Sequence, residues 1–204
     1  MKVYTLRENY DRFIEEYEYD AYSIPFEGEE ELGSNVMGIS EVELPKIIYC
    51  TADFRFLPHK TDYPRVDFNA PVFSKKMLEV FLELGEIQFR SVPVIMVDDS
   101  YLDDPFKGDG TLKDVVNWIE YLLVQLTEYT NVFDYGKSEF DECIVFPGDV
   151  GVVHKLVLKE PKGGFPPIFK VEECEEYIFI SFEAKKALEK AGVKGCEFEP
   201  VEVS

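Results

Sequence analysis

At 204 residues, with 46% apolar and 15% aromatic side chains, the chain has material for a sizeable buried core, which excludes an intrinsically disordered protein. Its 41 acidic residues against 21 basic ones give a net charge of -20, which repels phosphate backbones and anionic membranes and argues against direct nucleic-acid binding. No apolar run reaches the roughly 18 to 20 residues that span a bilayer, and the opening MKVYTLRENYDRF lacks the apolar segment of a signal peptide, so a cytoplasmic protein is expected.

In chain order, Leu6, Tyr10, Phe13, Ile14 and Tyr17 recur at helical spacing, which predicts an amphipathic helix over 6–17. Residues 8–31 gather Glu8, Asp11, Glu15, Glu16, Glu18, Asp20, Glu27, Glu29, Glu30 and Glu31 against Arg12 alone. Within them EGEEELGS, 27–34, reads as an exposed loop. KIIYC, 46–50, predicts a core strand, and the three prolines of 54–71 predict irregular chain. Residues 71–94 then read as a strand, a helix opened by Ser74 and closed by Gly85, and a second strand. IMVDDSYLDDPFKGDG, 95–110, leads from a strand into an acidic loop.

Leu112, Val115, Val116, Ile119, Leu122, Leu123 and Leu126 form one stripe, and Thr111 with Asp114 suggests a capping box, so the spacing predicts a core helix over 111–128. Strands are expected at 130–134, 143–146 and 152–158, with a turn at PKGGFPP, 161–167. The chain closes on a strand at 177–180, a helix from Ser181 to Gly192 and a half-buried strand containing Cys196 and Phe198. This plan repeats that of 71–94: Ser74 matches Ser181, Gly85 matches Gly192, Phe81 matches Leu188, Phe89 matches Phe198, and both end in Pro-Val, which suggests an internal strand–helix–strand duplication of 71–94 and 177–201. The reading is α+β, a mixed or antiparallel sheet with about four helices. It is taken as a single domain, 1–204, whose halves 1–110 and 111–204 are readable as two related lobes.

The four cysteines, Cys50, Cys143, Cys174 and Cys196, form no CxxC and read as reduced thiols. His154 lies in an apolar strand pattern, and His59 follows Cys50 by nine residues without anything to orient a nucleophile–base pair. Asp98, Asp99, Asp103, Asp104 and Asp109 could in principle bind calcium but match no EF-hand spacing; a solvated loop, or a protein-binding surface anchored by Tyr101 and Phe106, fits better. The glycine pairs do not lead from a strand into a helix as a phosphate cradle requires, so no cofactor is expected. Binding is favoured over catalysis.

The second half carries a resemblance. The succession of NWIEYLLVQL, the segment Asp134 to Ser138, VVHKLVLKE, the pair Ile168-Phe169 before the strand Tyr177 to Ile180, and the terminal Gly192, Gly195, Phe198, Pro200 and Val201 resembles bacterial immunity-protein family eleven, over roughly residues 50 to 201. The resemblance implies a cytoplasmic bacterial protein that binds and neutralises a cognate polymorphic toxin and has no catalytic residues; a monomer or dimer is expected. A basic toxin, such as a cationic nuclease, would be drawn to the acidic surface, and Glu29, Glu30 and Glu31 with Asp98, Asp99, Tyr101, Asp103 and Asp104 are the candidate contacts. Two other readings stay open: a non-catalytic structural or assembly module, and a small-molecule enzyme centred on Cys50 and His59 or on the aspartate loop.

Overall fold

The structure, a computed structural model, describes residues 2–9, 19–26, 29–39, 43–55, 57, 60–68, 70–101 and 103–204, and of these the side chains of 30, 31, 34 and 35 are left aside. In chain order the elements are β1 (Val3–Glu8), β2 (Ala21–Ser23), α1 (Glu29–Met37), β3 (Ile48–Ala52), β4 (Val72–Ser74), α2 (Lys75–Leu84), β5 (Phe89–Asp98) and β6 (Trp118–Leu126). There follow β7 (Glu139–Glu142), β8 (Val150–Lys155), β9 (Val157–Leu158), β10 (Ile168–Phe169), a 3-10 turn at Glu172–Cys174, β11 (Ile178–Ser181), α3 (Phe182–Lys190) and β12 (Cys196–Val203).

The expectation of about four helices is corrected: among the described residues strand far outweighs helix, so the protein is mostly β within a broad α+β plan. Two of the predicted helices form, 74–85 as α2 and 181–192 as α3. The start of the predicted first helix is strand β1, and 10–18 lie outside the described residues. The acidic stretch expected as a loop carries α1 instead.

The predicted helix at 111–128 is strand β6, and the reason lies in its surroundings. Ile119, Tyr121 and Leu123 join one apolar cluster with Ile48, Cys50, Val94 and Met96. Leu122, Val124 and Leu126 join another, with Phe73, Met77 and Phe81. A strand buried on both faces has apolar residues at every position, and the period of two disappears from the sequence.

Three sheets result: β2-β3-β5-β6-β4, β10-β11-β1-β12-β9 and the pair β7-β8. The first two share one topology. β6 runs antiparallel between β4 and β5, with Tyr121 opposite both Ser74 and Val94. β1 runs antiparallel between β11 and β12, with Val3 opposite both Ser181 and Val201. Outside them β3 is parallel to β5 and β9 is parallel to β12. β2 is antiparallel to β3, and Phe133 makes the matching antiparallel bridge to Leu158 of β9. Two things differ: β10 lies beyond β11 with no counterpart beyond β4, and the strand between β4 and β5 comes from residues after β5 whereas that between β11 and β12 comes before both, so the shared strands are circularly permuted.

The registers align Ser74 with Ser181 and Pro93-Val94 with Pro200-Val201. They correct one pairing: Phe89 stands where Cys196 does, and Phe198 where Ser91 does. Both prolines sit just before the outer parallel neighbour begins, β3 pairing from Val94 and β9 from Glu202, so no ladder hydrogen bond is lost on that side. The helices start alike, Ser74 Oγ accepting from Met77 N at 3.1 Å and Ser181 Oγ from Ala184 N at 3.2 Å. They end differently: Gly192 is left-handed at φ 65°, whereas Gly85, at φ 165°, is extended.

α2 and α3 pack against each other between the two large sheets. Their Met77, Phe81, Ala184 and Leu188 are fully buried in one cluster with Tyr4, Leu6, Ile178 and Ile180 of the second sheet and Phe73 and Val124 of the first. Each large side chain taken from water there stabilises the fold by about 1.5–3 kcal/mol. A polar clasp reinforces the join, because Asp62 accepts from Lys194 N at 2.8 Å and from Lys76 Nζ at 3.1 Å, and Lys76 also donates to the Gly192 carbonyl. The sheets therefore do not divide at residue 110, since β6 completes the first and β1 the second. Among the described residues no helix is long and apolar enough to cross a membrane.

Candidate functional site

The aspartate loop leaves β5 at the end of the first sheet. Its carboxylates are used locally: Asp98 accepts from Ser100 N at 3.0 Å, Asp104 from Phe106 N at 2.9 Å, and Asp109 from both the amide and the hydroxyl of Thr111. These are turns in which an aspartate satisfies the backbone two residues on. Lys107 pairs with Asp114 at 2.8 Å, and Lys113 donates to the Asp104 carbonyl while its ammonium stands 5.6 Å from the Tyr101 ring centre.

The predicted aromatic anchors turn inward. Tyr101 packs with Leu112 against Ile95, Val97 and Val116, and Phe106 meets Tyr49 edge-on at 4.9 Å. What remains open to solvent is charge: Asp99, Asp103 and Asp104 are exposed. Burial, then the neighbouring Asp53 and Asp98, raise the Asp99 carboxyl above its ordinary value, with Arg55 pulling the other way.

Trp118 is the residue that sequence reasoning passed over. It opens β6 opposite Val97, Asp98 N donates to the carbonyl of the adjacent Asn117 at 3.0 Å, and the indole is 53% exposed. Val115, 72% exposed, stands three residues before it. A large aromatic exposed beside carboxylates has the composition of an interface anchor rather than of a solvated loop. Reading 111–128 as a helix hid it, although this tryptophan is the only one in the chain.

The other candidate cluster lies on the same sheet but apart from the loop. Glu29 at the start of α1 meets the Ser23 hydroxyl, and Asp67 accepts from Ser23 N at 2.9 Å. Ser23 is opposite Cys50 and Cys50 opposite Met96, so Ser23 is two strands across and two residues along from Asp98, about 12 Å at ordinary strand spacings. Glu29 is thus tied inward, and the side chains of Glu30 and Glu31 lie outside what the structure describes.

Cys50 is fully buried; burial first, then Asp67 and Glu29, push its thiol far above the ordinary range, which is the reverse of an activated nucleophile. Its suggested partner His59 lies outside the described residues. His154, on β8, contacts Asp141 at 2.9 Å. Among the described residues no group of three or more histidine, cysteine or acidic side chains is placed to hold a metal ion.

A cleft of about 680 Å³ between the large sheets is lined by Arg7, Arg65, Tyr63, Glu175, Glu176 and Tyr177 among others. Near these two glutamates Lys170 is 2% exposed, and among the described residues its ammonium has no hydrogen-bond partner. Burial lowers it to about 8, against the opposing pull of Glu175 and Glu176. No protein-family model matches the chain, and a search of curated proteins likewise returns no match.

Proposed function

We propose that the chain is an immunity-type inhibitor, a protein that binds a basic toxin and neutralises it, with a cationic nuclease as the favoured target. The observation that carries this reading is Trp118, exposed beside the aspartate loop. Carboxylates at Asp99, Asp103 and Asp104 would draw a cationic surface and speed the encounter, while the indole supplies apolar contact area once the two surfaces meet. The resemblance of residues 50–201 to bacterial immunity-protein family eleven supports the same reading, as does the net charge of -20.

The buried helix pair and the Asp62 clasp favour a body that presents its surface in one conformation, which limits the ordering cost of binding. The test is coexpression with the product of the gene adjacent to this protein's own, as the expected toxin. Wild-type chain is expected to restore growth and to copurify with the toxin, and Trp118→Ala to weaken both. An unprotected cell and no complex would refute the inhibitor reading.

A further inference from the structure

The second sheet carries a different kind of surface. β7 and β8 form a hairpin whose root is fixed: Phe140, Val150 and Val153 pack against the cluster of Phe133, Leu158, Phe169 and Phe179, and Phe140 also meets Phe133 and Tyr135 edge-on. Its tip points the other way. Ile144 is 96% exposed, Val145 73% and Phe146 64%, and Val152, opposite Asp141 on β8, is 58% exposed. Three consecutive large apolar side chains left in water on an otherwise well-packed molecule mark a contact surface.

The tip is also held in shape. Cys143 N donates to the Asp149 carbonyl at 2.8 Å and Asp149 N to the Phe146 carbonyl at 3.1 Å, with Gly148 at φ 101°. A Cβ on Gly151 would come within 3.1 Å of the Cys143 backbone, so a larger residue would force the two strands apart by a few tenths of an ångström.

The rim selects the partner. Residues 139–155 contain Glu139, Asp141, Glu142 and Asp149 against Lys155, whose ammonium is committed to Glu202 at 3.0 Å. Two copies of so acidic a rim repel each other, which disfavours self-association and favours a basic partner.

We propose that the Ile144–Phe146 tip is the anchor that inserts into an apolar pocket with a basic rim on the toxin. This rests on the inhibitor reading and adds a segment to it.

The experiment measures the affinity of the neighbouring gene's toxin, as a catalytically inactive variant, for the wild-type chain, for the double variant Ile144→Asp/Phe146→Asp and for Ile144→Ser/Phe146→Ser. Thermal melts and sedimentation are run on each. Both double variants are expected to keep the wild-type melting temperature, because the tip is exposed, and to lose about 100-fold in affinity. Wild-type binding matched by both variants within about twofold, a difference inside ordinary surface-contact variation, would overturn the tip assignment alone. A wild-type dimer that the variants convert to monomer would overturn it too, by showing a second copy of the chain as the occupant. Absence of binding by the wild-type chain would overturn the inhibitor reading and this inference with it.

Discussion

The aspartate loop and the β7-β8 hairpin are built on opposite terms. In the loop the aromatics Tyr101 and Phe106 are drawn in and the carboxylates face solvent; in the hairpin Ile144, Val145 and Phe146 are driven out, with the acids at the rim. The first arrangement acts at a distance, since charge changes the rate of encounter and is screened by salt. The second acts only on contact, since apolar burial governs how long a complex lasts. A binder that must find its partner quickly and hold it needs both, and here they sit on different sheets.

The largest expected effect concerns stability near the hairpin's floor. Lys170 follows Phe169 of the cluster on which the hairpin stands, and its folded-state value of about 8 lies below the ordinary 10.5. Between those pH values the unfolded chain binds more protons than the folded one, so the stability cost is full below pH 8 and vanishes as the pH rises toward 10.5. Lys170→Met should therefore stabilise the protein by about 3 kcal/mol at pH 7. The difference between variant and wild type, which cancels the tyrosines and cysteines titrating in the same range, should shrink as the pH approaches 10.5. A gain independent of pH, seen in denaturant melts, would show that the ammonium is not what the site disfavours.

Trp118→Ala should cost about 2 kcal/mol of toxin affinity, as anchors of this kind do, mainly through faster dissociation. If only association slows, Trp118 belongs with the charged loop and not with the contact surface. Asp99→Lys/Asp103→Lys avoids the carboxylates that close turns; it should slow association about tenfold at low salt and much less at high salt. Equal slowing at both would remove the loop from long-range steering. The smallest effect is expected for Gly151→Ala, about 1 kcal/mol of stability, read as faster amide exchange confined to β7 and β8. Loosening that spread to α2 and α3 would mean the hairpin is not a separate unit.

What was legible in the sequence follows from how local each cause is. Ser74 and Ser181 cap their helices through an amide three residues away, and apolar residues at helical spacing bury one face, so α2 and α3 could be read directly. β6 could not, because its burial on both faces is imposed by α1's cluster on one side and α2's on the other. The role of β1 was equally hidden, as its partners Ile178–Ser181 and Cys196–Val203 lie at the far end of the chain.

The site divides the same way. The aspartates and their turns were visible as composition, whereas the exposure of Trp118 depends on the strand it opens. At 143–146 the apolar run predicts a strand, and none forms there, since β7 ends at Glu142. The turn sequence Phe146-Pro147-Gly148-Asp149 that follows it was the signal that the chain reverses there and leaves the run at a tip.

The most direct measurement is a calorimetric titration of the inactive toxin from the adjacent gene with the wild-type chain at low and high salt. The account predicts one-to-one binding with a negative heat-capacity change from apolar burial and an affinity that falls, but persists, as salt rises. Absence of heat and of complex at both salt concentrations would contradict it.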